Sequence, residues 1–231
     1  MHRLILPIMV VALVGLVLSV VGLVVTARRL GSSPAAPDLT PDPAVAGLRV
    51  PEFRMRDQTG AERTEAMFEG RVTVLDFTFT HCPFACPIMV LAMNDLATAL
   101  KGTSVRFASI SVDPERDTPA RLMEYATEKE LDLSRWTFLT GDKKDVERIV
   151  MGALQFALGP DPERTIPLPD GTTMQNITHP TRLILIGPQR EVLGMYDPNR
   201  PDEMGTLERR ARAIAGSLAK PNVQPVPGSP R

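Results

Sequence analysis

The chain has 231 residues, 43% of them hydrophobic, and its formal net charge is −1. Because Arg3, Arg28 and Arg29 are the only charged residues among the first thirty, the remainder carries a charge of −4. This mildly acidic composition argues against nucleic-acid binding, which needs a basic surface. About 170 residues between the two ends suit one domain with a sizeable core.

Residues 1–30 are predicted to be a single-pass membrane anchor. Leu4 to Ala27 is a stretch of 24 uncharged residues, which as a helix rising about 1.5 Å per residue crosses a hydrocarbon layer of roughly 30 Å. It is longer than the roughly 7–15 apolar residues of a cleaved signal, although Val25–Ala27 could serve as a cleavage site. Since a leading anchor usually exports the domain behind it, we expect the rest of the chain on the extracytoplasmic, periplasmic-type side of a membrane.

Proline-rich segments flank the predicted folded part. Residues 31–47 are rich in Pro, Ala, Ser and Asp and have too little apolar content to fold, so they are predicted to be a linker. Residues 221–231 have a similar composition and are predicted to be a disordered tail. A single domain of residues 48–220 remains between them.

The domain alternates predicted strands and helices. The predicted strands are residues 51–56, 71–80, 105–112, 136–139, 181–186 and 191–196, and the last two form a hairpin. The predicted helices are residues 86–100, a helix that begins at Pro119 after the N-cap Thr118, residues 142–156 and residues 204–218. The residues of the first helix expected to face the core are Ile88, Leu91, Leu96 and Leu100. This order predicts an α/β fold, with a central mixed sheet and helices on both faces.

Cys82 and Cys86 are the only cysteines of the chain, and they lie where the strand of residues 71–80 meets the first predicted helix. A helix N-terminus lowers a thiol pKa from about 8.5 toward the range of roughly 3.5–7.5. Thiolates attack disulfides and bind soft metal ions. The pair therefore indicates a reactive or metal-binding site, with a structural disulfide as the alternative interpretation.

Three motifs, in this order, resemble those of the Sco/SenC family: FTHCPFACP at residues 79–87, SVDPERDTP at residues 111–119, and His179 just before a strand and hairpin. The resemblance covers about residues 50–219 and implies a thioredoxin-like fold. Sco-like proteins are membrane-anchored copper chaperones that help load the copper centre of cytochrome c oxidase. The resemblance implies that Cys82, Cys86 and His179 bind one copper ion, as Cu(I) or Cu(II). The partners it implies are a copper-accepting oxidase subunit and other copper chaperones or thiol reductases.

The chemistry of these residue types agrees with a copper site. Two thiolates and an imidazole suit Cu(I) and also accommodate Cu(II), whereas a structural zinc site takes about four protein ligands. The alternative function is an anchored extracytoplasmic thiol–disulfide oxidoreductase, in which Cys82 attacks a disulfide and Cys86 resolves the mixed disulfide. Three residues separate the two cysteines here, where thioredoxins typically have two, and this weakens the alternative. Whether the chain is an enzyme is therefore left open.

Residues around the three candidate ligands are expected to support the site. His179–Pro180 resembles the cis-proline loop of thioredoxin-like folds, so a cis peptide bond is predicted there. His81 is expected to tune or brace the site, and Met89 and Met93 are expected to fill the core. The remaining expectations are that Asp113 caps or braces its loop, that Arg116 and Asp117 pair or cap locally, that Trp136 lies in the core, and that Asp161–Asp170 is a loop, either a flap over the site or an insertion.

Overall fold

The computed structural model describes residues 38–219 and, nearer the N-terminus, Ser19 alone. The predicted anchor, residues 1–30, lies outside the described residues apart from Ser19, and the predicted tail, residues 221–231, lies outside them entirely. Within the described part, no helix has the length and apolar character needed to cross a membrane.

The strands form one large mixed sheet and one separate hairpin. The strands of the described residues are β1 (Arg54–Asp57), β2 (Glu62–Thr64), β3 (Thr73–Thr78), β4 (Arg106–Ser111), β5 (Trp136–Gly141), β6 (Gly159–Pro167), β7 (Thr173–Thr178), β8 (Leu183–Ile186) and β9 (Val192–Tyr196). The large sheet has the order β2-β1-β5-β4-β3-β8-β9, and β6 pairs with β7. β3, β4 and β5 run parallel, and the other neighbours are antiparallel. The mixed sheet and the β8–β9 hairpin are as predicted.

The helices follow the strands in the predicted order. They are α1 (Ala85–Ala99), α2 (Pro119–Glu128), α3 (Lys143–Glu147) and α4 (Pro201–Leu218), and short 3₁₀ helices occur at Pro43–Val45 and Glu65–Phe68. The start of α2 is as predicted, because the Thr118 hydroxyl accepts a hydrogen bond from the Arg121 N–H at 3.2 Å and Pro119 occupies the first turn. The helix predicted over 142–156 is α3 followed by a π-helical turn at Arg148–Ala153.

Helices cover both faces of the sheet, as predicted. α1, α2 and α4 pack on one face, where the predicted core residue Trp136 is buried with Phe107 and Phe138. α3, its π-helical turn and the β6–β7 hairpin pack on the other face, over Leu75 and Phe77 of β3. Because helices or the hairpin cover each face, all six residues of β3 are buried. This explains the near-continuous apolar run of that strand in the sequence.

The prediction of which residues of α1 face the core was wrong for Ile88 and Leu91. Both are exposed, while Leu96 and Leu100 are buried as expected. The buried positions of α1 are Cys86, Met89, Val90, Met93, Leu96 and Ala97. These positions recur every three or four residues from Cys86, which defines a single helical face. Ile88 and Leu91 lie off that face, so their apolar character serves no contact in the core.

Two further segments differ from the expectations. Asp161–Asp170 was predicted to be a loop, but most of it belongs to the β6–β7 hairpin, which has a register shift between Asp161 and Thr165. Within residues 38–47, expected to belong to the linker, Val45 is buried and the Asp42 N–H donates to the Leu193 oxygen at 2.9 Å. The few apolar residues of this stretch therefore suffice for it to pack on the domain.

Candidate metal centre

The two cysteines lie just beyond the carboxyl end of β3. β3 lies at the centre of the sheet, between β4 and β8, and its register is set by parallel pairing with β4 from Thr73 to Thr78. The chain then turns through the buried Phe79, and the N–H of Cys82 donates to the Phe79 oxygen at 3.2 Å. α1 begins at Ala85, so Cys86 lies in its first turn. A central strand and a helix N-terminus thus fix both sulfur atoms relative to the sheet.

The structure brings together the three residues that the sequence singled out. One donor atom each from Cys82, Cys86 and His179 lies within 4.8 Å of the other two. The Sγ of Cys86 is 3.6 Å from the Nε2 of His179. Both cysteines are free thiols and are buried, and His179 is partly exposed. The predicted approach of a distant imidazole to both sulfurs is confirmed.

His179 reaches the sulfurs from the end of β7. Its Nδ1 lies 2.9 Å from the Pro180 oxygen, and a carbonyl oxygen can only accept, so in the neutral ring Nδ1 carries the proton. This leaves the Nε2 lone pair directed at Cys86. The ring also contacts Phe79 edge to face, with centroids 5.6 Å apart and an interplanar angle of 85°. Tautomer and orientation are therefore both set by neighbours that bind no metal.

The predicted cis bond between His179 and Pro180 is wrong, since no cis peptide bond occurs among the described residues. The prediction relied on the resemblance of His179–Pro180 to the cis-proline loop of thioredoxin-like folds. Instead, the β6–β7 hairpin ends at Thr178 and delivers the histidine directly. Trans is the preferred isomer before proline by about 0.5–1 kcal/mol, and nothing in this connection opposes it.

Their surroundings shift the pKa values of the two thiols in opposite directions. The pKa of Cys82 is lowered, chiefly because the Cys86 thiol donates a hydrogen bond to its sulfur, and the backbone N–H groups of Cys86 and Phe84 add to the effect. The pKa of Cys86 is raised, because ionisation removes that same hydrogen bond and burial disfavours a second thiolate beside the first. Cys82 is therefore the more acidic of the two thiols, and Cys86 the one that keeps its proton longer.

A buried carboxylate holds the end of β3 beside the end of β4. Asp117 accepts hydrogen bonds from the hydroxyls of Thr80 at 2.6 Å and Ser111 at 2.5 Å, and its side chain is completely buried. Burial raises the pKa of Asp117, and the hydrogen bonds from Ser111 and Thr80 oppose that rise. The prediction that Asp117 caps or pairs locally is therefore wrong in part, because its bond to Thr80 spans 37 residues. The cause is the parallel pairing of β3 with β4, which brings the two strand ends together.

Asp113, Met89 and Met93 take the positions expected of them. Asp113 braces its loop, since its carboxylate accepts from Arg116 at 3.0 Å and its carbonyl oxygen accepts from the Asp117 N–H at 2.9 Å. Met89 and Met93 are buried in the core beneath α1. His81 does not belong to the group of three, and its Nδ1 lies 3.3 Å from the Thr80 hydroxyl.

Asp76 is a buried group that the sequence analysis missed. It lies on β3, accepts a hydrogen bond from the Ser109 hydroxyl at 2.5 Å, and its Oδ2 has no hydrogen-bond partner among the described residues. Burial is the main cause that raises its pKa to about 6, which the Ser109 hydrogen bond and the charge of His179 partly oppose. The signal in the sequence was a single acidic residue within the apolar run Val72–Phe79.

Comparison with known proteins agrees with this arrangement. A family model described as SCO1/SenC matches residues 42–214. The chain is 31% identical over 151 residues to the SCO1 protein homolog of Bacillus subtilis. The aligned segment covers 64% of this chain and 73% of that protein. It is 30% identical over 173 residues to the mitochondrial SCO1 homolog of Homo sapiens, covering 72% of this chain but only 50% of the human protein.

A solved structure supports the fold. The copper-bound ScoI of Arabidopsis thaliana has a TM-score of 0.53 and 26% sequence identity, covering 69% of this chain and 92% of that one. The thioredoxin-like α/β fold predicted from the motifs is thereby confirmed.

Proposed function

The chain belongs to the SCO1/SenC family, and from this premise we propose that it is a membrane-anchored copper chaperone. In this proposal it holds one copper ion through Cys82, Cys86 and His179 and delivers that ion to cytochrome c oxidase during assembly. The observation that carries the proposal is the convergence of two sulfurs and one imidazole nitrogen within 4.8 Å. The relative from Arabidopsis with copper bound supports the choice of metal.

The donor set favours copper as the cargo. Thiolate ligands select Cu(I) and other soft ions, and imidazole binds copper well, whereas carboxylates suit harder ions. Within the described residues, no aspartate, glutamate or further histidine or cysteine joins the group of three. A structural zinc site would almost always have a fourth protein ligand. A three-coordinate ion keeps one position open, so an acceptor can add its own ligand before the chaperone releases a sulfur.

Copper binding in this site depends on the oxidation state of the cysteines. The thiolate is the metal ligand, and a disulfide between Cys82 and Cys86 would remove both sulfur ligands at once. The low pKa of Cys82 supplies one thiolate before the ion arrives, and binding displaces the proton of Cys86. The reduced form therefore loads copper, and the oxidised form does not.

The proposed anchor is residues 1–30, and the linker between it and the domain begins at residue 31. An anchored chaperone and a membrane-bound oxidase share the same surface, which raises their encounter frequency. The soluble domain would lie on the extracytoplasmic side. Release of the full-length chain from membranes by high salt or carbonate would contradict the anchor.

Copper stoichiometry of the full-length chain tests the three-ligand site. We expect one copper ion per chain in the parent, and loss of tight binding in Cys82→Ser, Cys86→Ser and His179→Ala. His81→Ala is the matched control, because it removes an imidazole next to Cys82 that lies outside the group of three. Electron paramagnetic resonance of the Cu(II)-loaded chain should show sulfur and nitrogen ligation in the parent and in His81→Ala. Undiminished binding by His179→Ala would refute the site.

The asymmetry of the two thiols favours thiol–disulfide exchange as a second candidate function. Cys82 has the lowered pKa and is the more exposed of the pair, at 9% against 0% for Cys86. The Cys82 thiolate would attack a substrate disulfide and release one thiolate of the substrate. Cys86 would then attack the mixed disulfide, which leaves the substrate reduced and the chain oxidised, and an external thiol reductase would regenerate it. Trapping of a mixed disulfide by copper-free Cys86→Ser would support this candidate, and its absence would count against it.

A further inference from the structure

The outer face of α1 carries an apolar stripe made of Phe84, Ile88 and Leu91. These side chains are exposed by 42%, 50% and 61%, and they are half of the six large apolar side chains that the described residues expose. They are spaced by four and three residues, so they lie along one face of the helix. Phe84 lies between the two cysteines in the sequence, which places the start of the stripe at the candidate metal site.

The sequence around the stripe lacks the polar groups usual on an exposed helix. From Cys82 to Met93, no residue has a charged or hydrogen-bonding side chain other than the two thiols. The core beneath α1 is completed by Met89, Val90 and Met93 instead. The apolar stripe is therefore not a by-product of core packing. Arg164, which lies over the Phe84 ring at 5.5 Å, provides a charged edge beside it. An apolar centre with a polar rim is the usual composition of a protein–protein contact.

The size of the stripe indicates a transient partner. Even at the roughly 250 Å² of a large aromatic side chain, the three exposed fractions leave at most about 400 Å² uncovered. A stable dimer buries about 800 Å² on each partner, while weak redox and signalling encounters bury less. The stripe alone is therefore too small for a permanent second copy of this chain, and it suits a brief encounter.

We infer that the apolar stripe is the docking surface for the copper-accepting protein, and that the acceptor presents an apolar patch around its own metal ligands. This inference rests on the proposed function. Both cysteines are buried, so an acceptor ligand can approach the ion only if the two protein surfaces come into close contact. Because Phe84 lies between the two cysteines and Ile88 lies two residues after Cys86 in the first turn of α1, a surface that close to the ion covers both.

The test compares copper transfer to a protein with transfer to a small chelator. The full-length chain is loaded with Cu(I) and mixed either with the copper-free soluble copper-centre domain of a cytochrome c oxidase subunit or with bathocuproine disulfonate. We expect Ile88→Lys and Leu91→Lys each to slow transfer to the protein at least about tenfold, as loss of a central apolar contact does. Transfer to the chelator, which needs no docking surface, should stay within about twofold of the parent.

Met151→Lys and Thr98→Lys are the matched controls. Met151 is an apolar residue exposed by 51% in the π-helical turn, on the opposite face of the sheet. Thr98 is an exposed residue of α1 beyond the stripe. Both variants should transfer copper to the protein at the rate of the parent, which would show that position rather than added charge matters.

Four results would overturn the inference. The first is that both stripe variants transfer copper to the protein at the rate of the parent. The second is that they transfer copper more slowly to the protein and to the chelator by the same factor, which would mean damage to the copper site. The third is a parent dimer, by sedimentation, that the stripe variants dissociate. The fourth is that the stripe variants slow copper transfer only when the chain is in phosphatidylcholine–phosphatidylglycerol vesicles and not when it is in detergent. That result would mean that the stripe contacts the bilayer. A parent that fails to load copper contradicts the proposed function as well, and the loading step shows this before any transfer is measured.

Discussion

Asp117 binds Thr80 through both the backbone and the side chain of that residue. The Thr80 N–H donates to the carboxylate at 3.2 Å and the Thr80 hydroxyl donates at 2.6 Å. Thr80 lies two residues before Cys82, and Asp117 lies two residues before α2. The cysteine loop is therefore anchored to the start of a helix that contributes no ligand. A loop held in this way loses less conformational freedom when it binds a metal ion.

Asp117→Asn should weaken this anchor. The amide keeps one accepting oxygen but presents an NH₂ group to a donor, so a buried hydrogen bond is lost, at about 1–3 kcal/mol of unfolding free energy. We also expect a faster release of copper to a chelator. Urea unfolding and release kinetics measure the two effects. Asp132→Asn is the control, because its carboxylate accepts from Ser134 in an exposed turn; a control as damaging as Asp117→Asn would contradict a special role for Asp117.

Asp76 should make stability depend on pH in the mildly acidic range. Its folded-state pKa of about 6 lies above its ordinary value of 3.8, so between about pH 4 and 6 the folded chain keeps a proton that the unfolded chain releases. The free energy of unfolding therefore falls as pH rises through this window, by about 3 kcal/mol in total. Asp76→Asn removes the titrating group and should lose less stability than the parent between pH 4.5 and 7.5. Parallel curves for parent and variant in urea titrations would exclude this role.

Alkylation of the copper-free chain should report the lowered pKa of Cys82. Because the thiolate is the nucleophile, the rate of reaction with iodoacetamide at Cys82 should change little between pH 6 and 8. An ordinary thiol, with a pKa of about 8.5, gains steadily over that range. In Cys86→Ala the thiol that donates to the Cys82 sulfur is absent, so the pKa of Cys82 should rise and the rate should become more dependent on pH. Mass spectrometry of the modified peptide gives the rate at each pH, and a steep profile in the parent would contradict the assignment.

The sequence predicted the site better than it predicted the surface. Cys82, Cys86 and His179 were identified from residue type and motif order, and the parallel strands were visible as apolar runs because both of their faces are buried. Ile88 and Leu91 were misplaced because apolar character normally means burial, and here the phase of α1 exposes them. The contact between Asp117 and Thr80 could not be predicted from local sequence, since it depends on the alignment of two strand ends 37 residues apart.

The Phe79 side chain is expected to affect copper affinity only by orienting the His179 ring. The edge of one ring meets the face of the other at 5.6 Å, and such aromatic pairs contribute about 0.5–1.5 kcal/mol beyond the burial of their area. Phe79→Leu keeps an apolar side chain but loses this contact, so copper affinity should fall by about three- to tenfold while stoichiometry stays at one.

Phe53→Leu is the matched control, because Phe53 makes a similar edge-to-face pair with Phe68 at 6.1 Å in the same core. Competition with a Cu(I) chelator measures affinity, and urea unfolding measures the stability of each variant. If both variants lose stability but only Phe79→Leu loses affinity, the effect is one of ring orientation; if both lose affinity equally, Phe79 serves the core and not the metal.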